Sequence, residues 1–163
     1  MLQAVDLSKR YEDGTLALDR VSFEVGEGEI FCLLGANGAG KTTAINLLLG
    51  FIEPSGGKAL VNGIEVSVNP LETKDHISFV SENVMLYENF TARQNLDYFA
   101  RLGGKRNLTK DEYYTCMRRA GLQEEAFEMK LGKFSKGMRQ KLGIAIAMIK
   151  NAANILLDEP TSG

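Results

Sequence analysis

Residues 30–50, Ile30-Phe31-Cys32-Leu33-Leu34-Gly35-Ala36-Asn37-Gly38-Ala39-Gly40-Lys41-Thr42-Thr43-Ala44-Ile45-Asn46-Leu47-Leu48-Leu49-Gly50, decide the fold. An apolar run at Ile30–Leu34 reads as a buried strand that contains Cys32, a glycine-rich loop follows, and Thr42–Leu49 reads as an apolar helix stopped by Gly50. Within it, Gly35–Thr42 matches the phosphate-binding pattern G-x-x-x-x-G-K-[ST] in the strand–loop–helix setting that the pattern requires. Glycines let the backbone curl so that its N–H groups face inward around phosphate oxygens, and the helix N-terminus adds the positive end of its dipole. Lys41 then neutralises terminal phosphate charge, and Thr42 offers a hydroxyl to Mg²⁺. The candidate phosphate contacts are Gly35, Asn37, Gly38, Ala39, Gly40, Lys41, Thr42 and Thr43.

Upstream of this unit, Leu2–Leu7 and the period-two run Val21–Val25 read as strands of a small β layer, separated from the loop strand by Gly26-Glu27-Gly28. Downstream, short strands are expected at Lys58–Val61 and Ile77–Val80. From Asn83 the texture changes to helix. Two capping boxes, Thr91-Ala92-Arg93-Gln94 and Thr109-Lys110-Asp111-Glu112, open helices that end near Gly103 and Gly121. The first carries Leu96, Phe99 and Leu102 as its apolar stripe, and the second carries Tyr113, Cys116 and Met117. Met138–Lys150 then reads as a buried helix, and Ile155–Leu157 as a core strand that returns the chain to the sheet.

Two further motifs carry chemistry. The strand Ile155-Leu156-Leu157 ends in Asp158-Glu159, which places a charge pair at the mouth of the sheet beside the phosphate loop. Asp158 suits a magnesium shell, and Glu159 suits a general base that polarises an attacking water. Phe134-Ser135-Lys136-Gly137-Met138-Arg139-Gln140 opens the buried helix, with Ser135 as N-cap and Gly137 permitting close approach of an anion.

Composition narrows the class. With 163 residues, 44% hydrophobic, 25% charged and a formal net charge of -2, the chain fits one globular domain with an inserted lobe and carries no basic excess for a nucleic-acid backbone. Cys32 and Cys116 have no metal-ligand spacing, so a reducing, cytoplasmic setting is expected. The longest apolar stretch, Leu142–Ile149, falls well short of the roughly 20 residues a bilayer span needs. Met1–Arg10 has no signal-peptide pattern. Membrane association is expected through a partner, without direct insertion.

Taken in this order, the three motifs resemble the ABC ATPase family across the chain from Met1 to Gly163. The serine-glycine segment ahead of Leu156-Leu157-Asp158-Glu159-Pro160-Thr161-Ser162-Gly163 makes the resemblance specific. It implies an α/β fold: a P-loop NTPase (RecA-like) core with a small antiparallel β layer and an inserted α-helical subdomain. Residues 1–82 and 136–163 would form the ATP-binding core, and 83–135 the helical subdomain. It implies an ATPase using ATP and Mg²⁺, with Lys41 and Glu159 catalytic and Thr42, Asp158 and Glu82 at the metal. Tyr11 would stack on adenine. Ser135 and Gly137 would contact the ATP of the opposite subunit in a head-to-tail homodimer or heterodimer of nucleotide-binding domains. A transmembrane permease would be the export partner, holding the chain at the inner face of the cell membrane.

Departures from the family's commonest form refine this. Lys136 stands where glycine is usual and Met138 where glutamine is usual, a form similar to ABC-2 type exporters. Glu82 replaces the glutamine that senses metal and permease, adding negative charge near the metal. The sequence stops before the family's following aspartate and its switch histidine, so the last core strand or strands are expected to be absent and a sheet edge left unpaired. His76, beside Lys74 and Asp75, reads as a turn residue and not as that switch. Two alternatives stay open: a soluble ABC-type ATPase, and a nucleotide-binding fragment without turnover. The single compact lobe between Lys41 and Ser135, without long heptads or a basic arm, weighs against the first.

Overall fold

The computed structural model describes residues 1–158, which fall in two compact units, the first Met1–Ile77 and the second beginning at Ser78. Glu159, the expected general base, lies outside the described residues, as do residues 160–163.

In the first unit, β1 (Leu2–Arg10), β2 (Leu16–Val25), β3 (Gly56–Val61) and β4 (Ile64–Glu65) form an antiparallel sheet ordered β2-β1-β3-β4. Leu2 pairs with Val25 on one side and Val61 on the other. Alternation puts Leu2, Ala4, Leu7, Leu18, Ala59 and Val61 inside. The register slips on β1 between Val5 and Ser8, where Asp6 adopts a φ of 47° and donates its N–H to Ser22 Oγ at 2.9 Å. Opposite this bulge a Cβ on Gly57 would come within 2.2 Å of Asp6 O, so only glycine fits there.

Helix α1 (Lys41–Leu48) packs on β1, β2 and β3 through Ala44, Ile45, Leu47 and Leu48, the i, i+3, i+4 spacing of one helix face. It ends in a Schellman turn: Gly50, at φ 67°, donates to Leu47 O and Phe51 donates to Asn46 O. The expected helix and its glycine stop are therefore both found. A short helix α2 (Pro70–Asp75), with Pro70 in its first turn, follows and ends at the half-buried His76.

One expectation is corrected. Ile30–Leu34 belongs to no described strand, Ile30 and Leu34 are 97% and 88% exposed, and Cys32 is exposed as well. An apolar run becomes a strand only when neighbours accept and donate along its backbone, and neither described sheet supplies such a neighbour. Its anchor is Phe31, stacked on Phe23 of β2 at 5.1 Å.

In the second unit, β5 (Ile77–Val80) pairs with β6 (Asn154–Leu157), and α3 (Ala92–Leu102), α4 (Lys110–Arg119) and α5 (Lys136–Lys150) build the core. Both capping boxes close in both directions, at Thr91/Gln94 and Thr109/Glu112. The α3 stripe differs from the expected one: Ala92, Leu96 and Ala100 are buried while Leu102 is 66% exposed. Successive i+3 steps rotate about 60° backward around a helix, so Leu102 has drifted off the face that Leu96 defines, whereas i+4 steps stay on it. Tyr113 and Met117 are buried on α4 as expected, with Cys116 half-buried beside them. Tyr113 donates to Asp97, which also binds Arg101, tying α3 to α4. Burial first, and that hydrogen bond second, push the Tyr113 phenol up to about 12. Strand β6 forms where expected but is only partly covered, Ile155 and Leu157 being 47% and 42% exposed.

Candidate functional site

The glycine-rich loop has one geometry that only its sequence permits. Gly38 and Gly40 adopt φ of 84° and 85°, in the left-handed region. A Cβ on Gly40 would sit 2.4 Å from Ala17 O, so β2 closes one side of the loop and excludes any other residue. Ala39 N–H turns back to Ala36 O at 3.1 Å, and Ala44 N–H begins the helix ladder at Gly40 O. The N-cap of α1 carries no side-chain cap and its first turn no acidic residue, which leaves the positive end of the helix for an anion. Lys41 Nζ lies across the loop, donating to Gly35 O at 2.7 Å and Ala36 O at 3.0 Å, so its charge is held where the loop curls. Thr42 is exposed at the helix start; Thr43 is half-buried.

Tyr11 comes to the same helix from β1. Its hydroxyl lies 3.2 Å from Thr43 Oγ1, its backbone is fixed by a turn with Thr15, and Lys9 Nζ sits 5.5 Å from its ring centroid. Tyr11 as a whole remains 39% exposed. Tyr11, the loop, Thr42 and Thr43 thus share the first unit.

The remaining residues share the second. Asp158 N–H donates to Val80 O at 2.9 Å, which sets the end of β6 beside the end of β5, two residues before Glu82. Glu82 is paired with Lys136 Nζ at 3.3 Å, and Glu82 O accepts from Gln140 Nε2 at 3.4 Å. Two of the three residues that departed from the commonest family pattern, Glu82 and Lys136, therefore meet each other. Ser135 caps α5 by accepting from Met138 N–H at 3.2 Å, and a Cβ added to the half-buried Gly137 would meet nothing within 4 Å.

Two residues escaped the sequence reading. Asn95, fully buried on α3, clamps the backbone of Tyr87 by accepting its N–H at 2.9 Å and donating to its carbonyl at 3.0 Å. Arg139 donates to Glu88 Oε1 at 2.9 Å. The available signal was polarity in the wrong place, since an asparagine beside Leu96 on an apolar face must find partners.

Comparison with known proteins is decisive at this point, because the model of the ABC transporter family matches residues 18–162. The chain belongs to the ABC transporter family. It is 38% identical over 168 residues to the ABC transporter ATP-binding protein NatA of Bacillus subtilis, covering 100% of this chain and 68% of that protein. It is 39% identical over 165 residues to the bacitracin transport ATP-binding protein BcrA of Bacillus licheniformis, with 100% and 52% covered. Against the daunorubicin resistance ATP-binding protein DrrA2 of Streptomyces coeruleorubidus, identity is 38%, with 99% and 50% covered. The chain thus spans about half to two thirds of these relatives. Among solved structures, a dimeric ATP-binding cassette in a post-hydrolysis state bound to ADP and Pi superposes with a TM-score of 0.86 at 26% identity, covering 99% of this chain and 75% of that one. The ATP-binding subunit of another ABC transporter gives 0.81 at 31% identity, with 99% and 67% covered. The fold is that of an ABC cassette, a P-loop NTPase fold that binds ATP, and the family is one of ATPases.

Proposed function

We propose that this ABC cassette binds and hydrolyses ATP to drive export through a separate transmembrane permease of the ABC-2 type. The observation that carries the reading is the loop at the head of α1: a glycine-only curl, an uncapped helix end and the Lys41 ammonium held across it. Backbone N–H groups from Gly35 to Lys41 and the Thr42 and Thr43 hydroxyls bind the triphosphate, Lys41 offsets its charge, and the exposed face of Tyr11 receives adenine.

The oxygen donors offered to Mg²⁺ suit that ion, which takes few protein ligands and shares phosphates and water. Thr42 and Asp158 would hold it, supplying charge neutralisation of the phosphates. Glu82 fits less well as a ligand, because Lys136 already balances its carboxylate. Glu159 accepts a proton from the attacking water. Ser135 and Gly137 serve the nucleotide of an opposite subunit, a role favoured by the open space above Gly137.

The helical subdomain 83–135, inserted between core segments 1–82 and 136–163, offers the permease a surface. Met85, Tyr87, Phe90 and Tyr98 are exposed by 86%, 47%, 39% and 36%, and the three rings contact one another through Tyr87. Exposed apolar patches of this kind meet partners. No helix among the described residues is long and apolar enough to cross a membrane, so the cassette would sit at the inner face through the permease.

Phosphate release from the full transporter tests the reading. Mg²⁺-dependent turnover that disappears in Lys41→Ala, together with copurification of the cassette with a membrane protein, is expected. Turnover indifferent to Lys41, or copurification with ribosomes or DNA, would contradict it.

A further inference from the structure

The end of β1 is held from several directions, all within the first unit. Lys9 Nζ donates to Glu53 O at 2.7 Å, Ser55 N–H donates to Ser8 O at 2.8 Å, and Arg10 N–H donates to Ser55 Oγ at 3.0 Å. Glu53 and Ser55 lie in the segment that follows the Gly50 stop of α1. Tyr11 N–H then donates to Thr15 O at 2.9 Å, Gly14 N–H returns to Tyr11 O at 3.0 Å, and Arg10 Nη1 donates to Gly14 O at 2.8 Å. A turn closes with one such bond, so the others fix where Tyr11 stands as well as the shape of its loop.

The ring itself has two partners. Its hydroxyl lies 3.2 Å from Thr43 Oγ1 in the first turn of α1, and Lys9 Nζ stands over one face, 5.5 Å from the centroid. The half-buried Lys9 is kept there by its charge-assisted bond to Glu53 O. A tyrosine ring is negative over its faces, so the ammonium is attracted to one of them and leaves a flat ligand the other. The same cation draws ring electron density toward itself, which lowers the repulsion that an electron-rich purine meets on the opposite side.

We propose that Lys9 is a positioning residue for the nucleotide's base: it sets the tilt and the free face of the Tyr11 ring, so that adenine stacks opposite the ammonium, and it acts through the ring without touching the nucleotide. The inference rests on the reading that Tyr11 receives adenine.

The test measures ATP affinity by calorimetry, and kcat and KM for phosphate release, on the full transporter with Mg²⁺. The variants are Lys9→Met, Lys9→Arg, Tyr11→Ala, the double variant Lys9→Met with Tyr11→Ala, and Lys41→Ala. Lys9→Met is expected to weaken ATP by about two- to fivefold, the worth of one cation–π contact, and to raise KM by the same factor at unchanged kcat. Lys9→Arg should restore wild-type affinity, since it keeps both the cation and the donor. Placed on Tyr11→Ala, Lys9→Met should cost nothing further, because a residue that acts through another is not additive with it. Wild-type or tighter binding in Lys9→Met, or an equal loss in Lys9→Arg, overturns the proposal. A further loss in the double variant overturns it by making Lys9 a direct ligand of the nucleotide, and a fallen kcat at unchanged KM overturns it by making Lys9 a general support of the fold. If Tyr11→Ala binds ATP as the wild type does while Lys41→Ala does not, the adenine reading of Tyr11 fails instead, and the positioning falls with it.

Discussion

Two helix N-termini in this molecule face opposite problems. At α1 the cap position is a glycine at φ 85°, no side chain accepts from the first turn, and a lysine charge lies across the loop. At α5 the chain satisfies itself, since Ser135 Oγ accepts from Met138 N–H and the flanking Lys136 and Arg139 pair with Glu82 and Glu88. An end left open by its own sequence is built to take a ligand's charge, whereas a capped one can offer only its cap hydroxyl and cleared space. The first should govern how tightly nucleotide is held, and the second what happens to it afterwards.

That contrast can be broken by separating binding from turnover. The largest effect is expected from Glu159→Gln: turnover should fall about a thousandfold, the range of a positioned general base, with ATP affinity kept and an ATP-bound dimer accumulating on a sizing column. Rapid turnover without dimer would remove Glu159 from its role. Lys41→Ala should weaken a fluorescent ATP analogue by about a hundredfold, two charge-assisted hydrogen bonds' worth, and a titration within a few-fold of wild type would mean that the open end of α1 is not the site. Gly40→Ala must place a side chain at φ 85° against Ala17 O, costing about 1–2 kcal/mol for the left-handed backbone alone, so a lowered Tm should accompany lost binding. The smallest effect belongs to Ser135→Ala, where loss of the cap costs about 1 kcal/mol; thermal unfolding would register it, and an unchanged Tm would show that the capped end of α5 is not held as described.

Much of this was readable in the sequence because it is local chemistry. Thr91, Thr109 and Ser135 cap the helices they were expected to cap, and α1 starts and stops within a residue of the motif's bounds. Non-local pairing was not readable. The run Ile30–Leu34 has strand composition, but its strand depends on neighbours that composition cannot supply, and Leu102 left the α3 stripe through accumulated helical phase. The curl of the glycine-rich loop, with Gly38 and Gly40 at positive φ and Lys41 across it, was legible because the motif spelled it out. The pairing of Glu82 with Lys136, 54 residues apart, and the hold of Asn95 on Tyr87 were not, because long-range ion pairs and buried amides leave no periodic trace.

On the proposed function, the open end of α1 holds this chain's nucleotide while the capped end of α5 serves another's. Titrating a fluorescent ATP analogue into Lys41→Ala and Ser135→Arg side by side, with phosphate release followed in the same samples, tests it most directly. Affinity is expected to be lost in Lys41→Ala and kept in Ser135→Arg, with turnover abolished in both; equal loss of affinity in the two would mean that the two helix ends do not divide the work.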